Sequence, residues 1–73
     1  MSRDDEPNTL GDALPREMTR VRDKILPKYD AIPGGAFAAA MMRRDLDTAQ
    51  RALAEGDVVA MIRIYQALKE WTL

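Results

Sequence analysis

Chemistry in this chain would have to proceed without histidine or cysteine, since neither occurs in its 73 residues. Missing with them are the side chain best suited to proton transfer near neutral pH, the thiolate nucleophile, and two of the commonest metal ligands. A catalytic site would need lysine, tyrosine or paired carboxylates held in a cleft that shifts their pKa values. The nearest carboxylate pair, Asp45 and Asp47, is spaced i,i+2, which sends the two to different sides of a helix. Asp4-Asp5-Glu6 is densely acidic but lacks the glycine-punctuated loop of a calcium site. Pro33-Gly34-Gly35 precedes a helical stretch, as in a phosphate cradle, but has neither the lysine nor the glycine spacing of a P-loop. It reads as an interhelical turn. No enzyme, metal site or cofactor is expected.

Binding chemistry has more to work with. Arg16, Arg20 and Lys24 recur every fourth residue, with Arg22 and Lys28 beside them and Glu17 and Asp23 interspersed. Such a row could neutralise about three phosphates, giving weak, salt-sensitive and sequence-blind contact with nucleic acid. The second candidate is apolar. Met41 and Met42 are adjacent, so one narrow stripe cannot hold both. Val58-Val59-Ala60-Met61-Ile62, followed by Ile64 and Tyr65, carries apolar surface more than halfway round a helix. Whatever part of it the core does not cover is available to a second copy or to another protein. Met42, Met61, Ile64, Tyr65 and Trp71 are the expected contact residues, methionine as adaptable filler and the aromatics as anchors.

The elements that position these residues follow from periodicity. Leu14, Met18, Val21, Ile25, Tyr29 and Ile32 recur at spacings of three and four, one face of a helix. Pro15 fits its first turn after a cap at Asp12 or Leu14, and Pro27 interrupts the run, so a kinked helix or two short ones are expected over 15–31. A second helix is expected over 36–54, with Phe37, Met41, Met42, Leu46, Ala49 and Leu53 inward. Along its outer side run Arg43, Asp47, Arg51 and Glu55 in alternating sign. Gly56 suits the left-handed end of that helix and Asp57 the cap of the next, so the two mark a tight helical hairpin. A third helix is expected over 58–71, burying Val58, Met61, Ile62, Tyr65 and Leu68 with Ile64 and Trp71 flanking. No segment alternates as a strand does. The expected fold is all-α, a small three-helix bundle over 13–73 preceded by a flexible acidic tail over 1–12.

Charge and size bound the rest. The net charge is −1, which gives no overall attraction to nucleic acid or anionic lipid. No apolar run approaches the ~20 residues of a membrane span. The first residues lack the basic start and apolar stretch of a secretory signal, so a cytoplasmic location is expected. Ordering about 60 residues costs on the order of 90 kcal/mol of conformational entropy. The apolar area that a chain of this size removes from water, roughly 3,400 Å², returns about 85 kcal/mol. Those terms nearly cancel, which favours self-association or a partner.

Leu53-Ala54-Glu55-Gly56-Asp57 with Tyr65 resembles the turn of one tetratricopeptide-type hairpin, although stable arrays of such hairpins need about three. More broadly, about three-quarters of the chain resembles short helical proteins of bacteriophages and prophages. That pattern runs from Ala13-Leu14-Pro15 through Ala40-Met41-Met42 and Glu55-Gly56-Asp57-Val58-Val59-Ala60-Met61 to Tyr65-Gln66-Ala67-Leu68-Lys69. The resemblance implies a non-enzymatic accessory protein that modulates a host or phage protein by binding it, with the host transcription machinery among the conceivable targets. A nucleic-acid regulator acting through Arg16, Arg20 and Lys24, and a structural homo-oligomer, are the alternatives.

Overall fold

The computed structural model describes residues 9–73, and among them every regular element is helical. The first helix runs in three segments: α1 (Leu10–Arg20), a wide π-helical turn (Val21–Ile25) and α2 (Leu26–Ala31). It is followed by α3 (Ala36–Glu55) and α4 (Val58–Lys69). The all-α three-helix expectation holds, and the regular α-helical hydrogen bonding of the first helix is interrupted just ahead of Pro27. Pro27 has no amide to donate to the carbonyl of Asp23, and its ring crowds that carbonyl. The chain widens just ahead of it, and the Leu26 amide donates to the Val21 carbonyl five residues back. Widening also brings Val21, Ile25 and Leu26 all into the core.

The start of the first helix differs from expectation. Residues 1–8 of the expected acidic tail lie outside the described residues, but 9–12 are the cap and first turn of α1. The Thr9 hydroxyl oxygen accepts from the Asp12 amide at 3.2 Å and donates to the Asp12 carboxylate at 3.0 Å. This Thr-x-x-Asp pattern is a variant of the capping box. Leu10, one turn before Leu14, packs against the core and draws the helix back to that point. Pro15 therefore sits inside the helix, on its exposed side.

The core is made by Leu14, Val21, Ile25 and Leu26 from the first helix, Ala39, Met42, Ala49 and Ala52 from α3, and Met61, Ile64 and Leu68 from α4. Three alanines on α3 leave room for neighbouring backbones. Between α3 and α4 the expected hairpin forms: Gly56 is left-handed at φ 66°, and the Asp57 amide reaches the Ala52 carbonyl at 3.1 Å. The Asp57 carboxylate then accepts from the Ala60 amide at 3.1 Å, capping α4. At the other turn Gly35 is buried against α2, and a side chain there would collide with the Tyr29 carbonyl oxygen.

Candidate interaction surface

Three of the five expected contact residues belong to the core. Met42 is fully buried, and Met61 and Ile64 are each 7% exposed. On α4 the spacing of Met61, Ile64 and Leu68 defines the inward stripe, so Ile64 packs inside rather than flanking it. Met42 falls three residues after Ala39 on the inward side of α3, whereas Met41 is half-buried at its edge. None of these three presents a surface to a partner of the folded chain.

Trp71 is half-buried and closes the end of the bundle. Its indole N–H donates to the Asp45 carboxylate at 2.9 Å, and its ring meets Tyr29 edge-on, with centroids 6.3 Å apart. Tyr29 in turn donates from its hydroxyl to the Thr72 carbonyl at 2.9 Å. Of the predicted contact face, Tyr65 is left at the surface, half-buried, with the Lys69 ammonium 5.4 Å from its ring centroid.

The apolar surface that is exposed lies one step round the same helix. Val58, Val59 and Ile62, the first and last of which were expected inside, are 59%, 60% and 44% exposed. Val58, Ile62 and Tyr65 follow the i, i+4, i+7 pattern of a single stripe, and Val59 extends it one turn below Ile62 on the other side. Beside Val59 is an open hollow of about 300 Å³ whose wall includes Thr48, Asp57 and Arg63. The sequence carried the signal for this face, since α4 has more apolar positions than one stripe can bury. Choosing which stripe goes inside required knowing where α1 and α3 lie.

A second, more scattered apolar group surrounds the turn between α2 and α3. Phe37 is 78% exposed, because it stands two residues before Ala39 and so points to the opposite side of α3. Ile32, expected on the first helix's apolar face, falls after that helix has ended and is also exposed. With Lys28, Tyr29 and Leu73 it borders a hollow of about 180 Å³.

The basic row is interrupted at its centre. Arg20 grips Glu17 through Nε and Nη2 at 3.0 and 2.9 Å, and its Nη2 also donates to the Leu68 carbonyl of α4 at 3.0 Å. Arg16 and Lys24 are exposed, but the wide turn beginning at Val21 separates Arg20 from Lys24 and breaks the simple i+4 register. Arg22 pairs with Asp23 at 3.0 Å, and that hydrogen bond holds the Asp23 carboxyl below its ordinary range. On α3, Arg51 pairs with Asp47 as the alternating row implies, whereas Arg43 turns to Asp30 of α2 at 2.6 Å. Among the described residues no three carboxylates gather as metal ligands would. No helix there is long and apolar enough to cross a membrane.

No known family matches this sequence, and no curated protein or solved structure is recognisably similar to it.

Proposed function

We propose that this chain is a non-enzymatic interaction module that binds another protein through the outer face of α4, around Val58, Val59 and Ile62. The observation that carries this reading is the exposure of three large aliphatic side chains within five residues, on a helix whose other face is already core. Exposed aliphatic side chains scattered singly are ordinary; a contiguous set on one rigid helix is the usual mark of a contact site. The composition supports the same reading, because neither histidine nor cysteine is available for catalysis. On the sequence resemblance to short helical phage proteins alone, we propose the role of an accessory protein modulating a host or phage partner. Nucleic-acid binding through Arg16, Arg20 and Lys24 has weaker support, because the middle guanidinium is already engaged by Glu17 and the Leu68 carbonyl.

The test is site-specific photo-crosslinking in bacterial lysate, with and without nuclease treatment. A photoreactive residue in place of Ile62 should give defined adducts with protein, while the same residue in place of Arg44, exposed on α3, should give none. Equal labelling from both positions, no adduct at position 62, or adducts that vanish with nuclease would each overturn the proposal.

A further inference from the structure

We infer that residues 70–73, the segment after α4, are an autoinhibitory lid: they open while the bundle stays folded, and when closed they fill a groove that suits an extended peptide carrying an aromatic N–H donor. The site is separate from the outer face of α4 and stands independently of it. The last turn of the chain ends with the Glu70 and Trp71 amides donating to the Ala67 and Leu68 carbonyls at 3.2 and 3.1 Å. Beyond them, among the described residues, the amides of Thr72 and Leu73 donate to no backbone carbonyl. Glu70, Thr72 and Leu73 are exposed, so Trp71 is the single side chain that the segment packs against the bundle. Two side-chain hydrogen bonds and one ring contact hold it. Asp45 of α3 accepts from the indole, Tyr29 of α2 donates to the Thr72 carbonyl, and the Tyr29 ring meets Trp71 edge-on. The entropy of ordering a short irregular segment is of the same order as such contacts. An element so balanced opens locally, ahead of the fold that carries it. The buried core includes none of residues 70–73, so its packing survives their departure.

The segment covers a continuous recess. One hollow of about 260 Å³ is walled by Asp45, Ala67, Glu70 and Trp71, and another of about 180 Å³ by Lys28, Tyr29, Ile32 and Leu73. Each takes part of its wall from the segment. Tyr29 borders the second hollow and meets Trp71, which borders the first, so the two adjoin beneath residues 70–73. Lifting the segment joins them into one groove, with Asp45 at one end, Lys28 at the other, and Ala67, Tyr29 and Ile32 between. What closes the groove also defines what fits it. An incoming peptide must offer an aromatic N–H to the Asp45 carboxylate and, one residue on, a backbone carbonyl to the Tyr29 hydroxyl, as Trp71 and Thr72 now do.

Trp71 is the sole tryptophan, so its fluorescence reads the lid directly in the full chain. Asp45→Ala should move the ratio of open to closed about tenfold toward open, the factor for one hydrogen bond to a charged group. The emission should shift to longer wavelength, and acrylamide should quench it nearly as well as it quenches N-acetyl-tryptophanamide, while far-UV circular dichroism stays unchanged. Tyr29→Phe should give a smaller shift in the same direction. Native emission already like that of the free amide, or quenching unchanged in both variants and in D45A/Y29F, would overturn the latch. Helix content falling in step with the emission shift would make the segment part of the cooperative bundle and no lid. For the groove, the probe is a synthetic peptide with the sequence of residues 67–73, titrated to millimolar concentration into ¹⁵N-labelled Trp71→Ala chain. Amide shifts should appear around Asp45 and Tyr29 and be lost in W71A/D45A. Their absence from Trp71→Ala, or their persistence in the double variant, would overturn the peptide site.

Discussion

Arg20 shows how a residue type that suggests one chemistry can be engaged in another. Its fork holds Glu17 within α1 and the Leu68 carbonyl across the bundle, so it ties α1 to the end of α4. Lysine has the charge but not the planar set of donors that makes both contacts together. The side chain remains a third exposed, which lowers its worth relative to a fully buried pair. Arg20→Ala should therefore destabilise the fold by about 1 kcal/mol, with Arg20→Lys close behind. Arg16→Ala, on the exposed side of the same helix, should stay within about 0.5 kcal/mol of the native chain. Urea unfolding followed by circular dichroism separates these outcomes. Equal, negligible effects would mean that Arg20 has no structural task.

At the scale of elements, the turns carry the constraint. Gly34 and Gly56 both adopt positive φ, 81° and 66°, with open space around them, so their requirement is conformational alone. Gly35 has an ordinary backbone but no room, because a methyl group there would strike the Tyr29 carbonyl and lie 2.8 Å from Ile32 Cγ1. Relieving that clash means moving α2 away from α3. Gly35→Ala should thus cost about 2–3 kcal/mol, in the range of overpacked sites. Gly34→Ala, which meets only backbone strain, should cost about 1 kcal/mol. Thermal melting of the two variants gives the ranking, and a milder effect at Gly35 than at Gly34 would contradict the close approach. The wide turn at Val21–Ile25 is an element-scale feature of a different kind, a response to Pro27 that lets consecutive residues Ile25 and Leu26 both reach the core.

For the whole molecule, the decisive contrast is between the two sides of α4 and its neighbour α3. Met42 is sealed among the three helices, while Ile62 is open on the outer face. Met42→Ala should remove about 2–4 kcal/mol, a large share of what a 73-residue chain has. Ile62→Ser, at a position 44% exposed in the native chain, should change stability by no more than about 1 kcal/mol, and thermal melting beside Met42→Ala checks the contrast.

The sequence by itself determined the elements. Spacings of three and four, glycine at 34, 35 and 56, Asp57 as a cap and proline at 27 specify three helices, an interruption in the first and a hairpin through local backbone chemistry. It also held the Thr9-x-x-Asp12 capping pattern, which is local too and was obscured by Gly11 and Pro15 nearby. Tertiary structure decided which apolar residues are core and which are surface. Val58, Val59 and Ile62 are no less hydrophobic than Met42, Met61 and Ile64, so hydrophobicity alone does not pick the buried set. Their fates separate because α1 and α3 can cover one stripe of α4 and not two, and because Arg20 fastens α1 to the carbonyl of Leu68 on that helix. Burial depends on where other helices lie, and no spacing within a single helix encodes that.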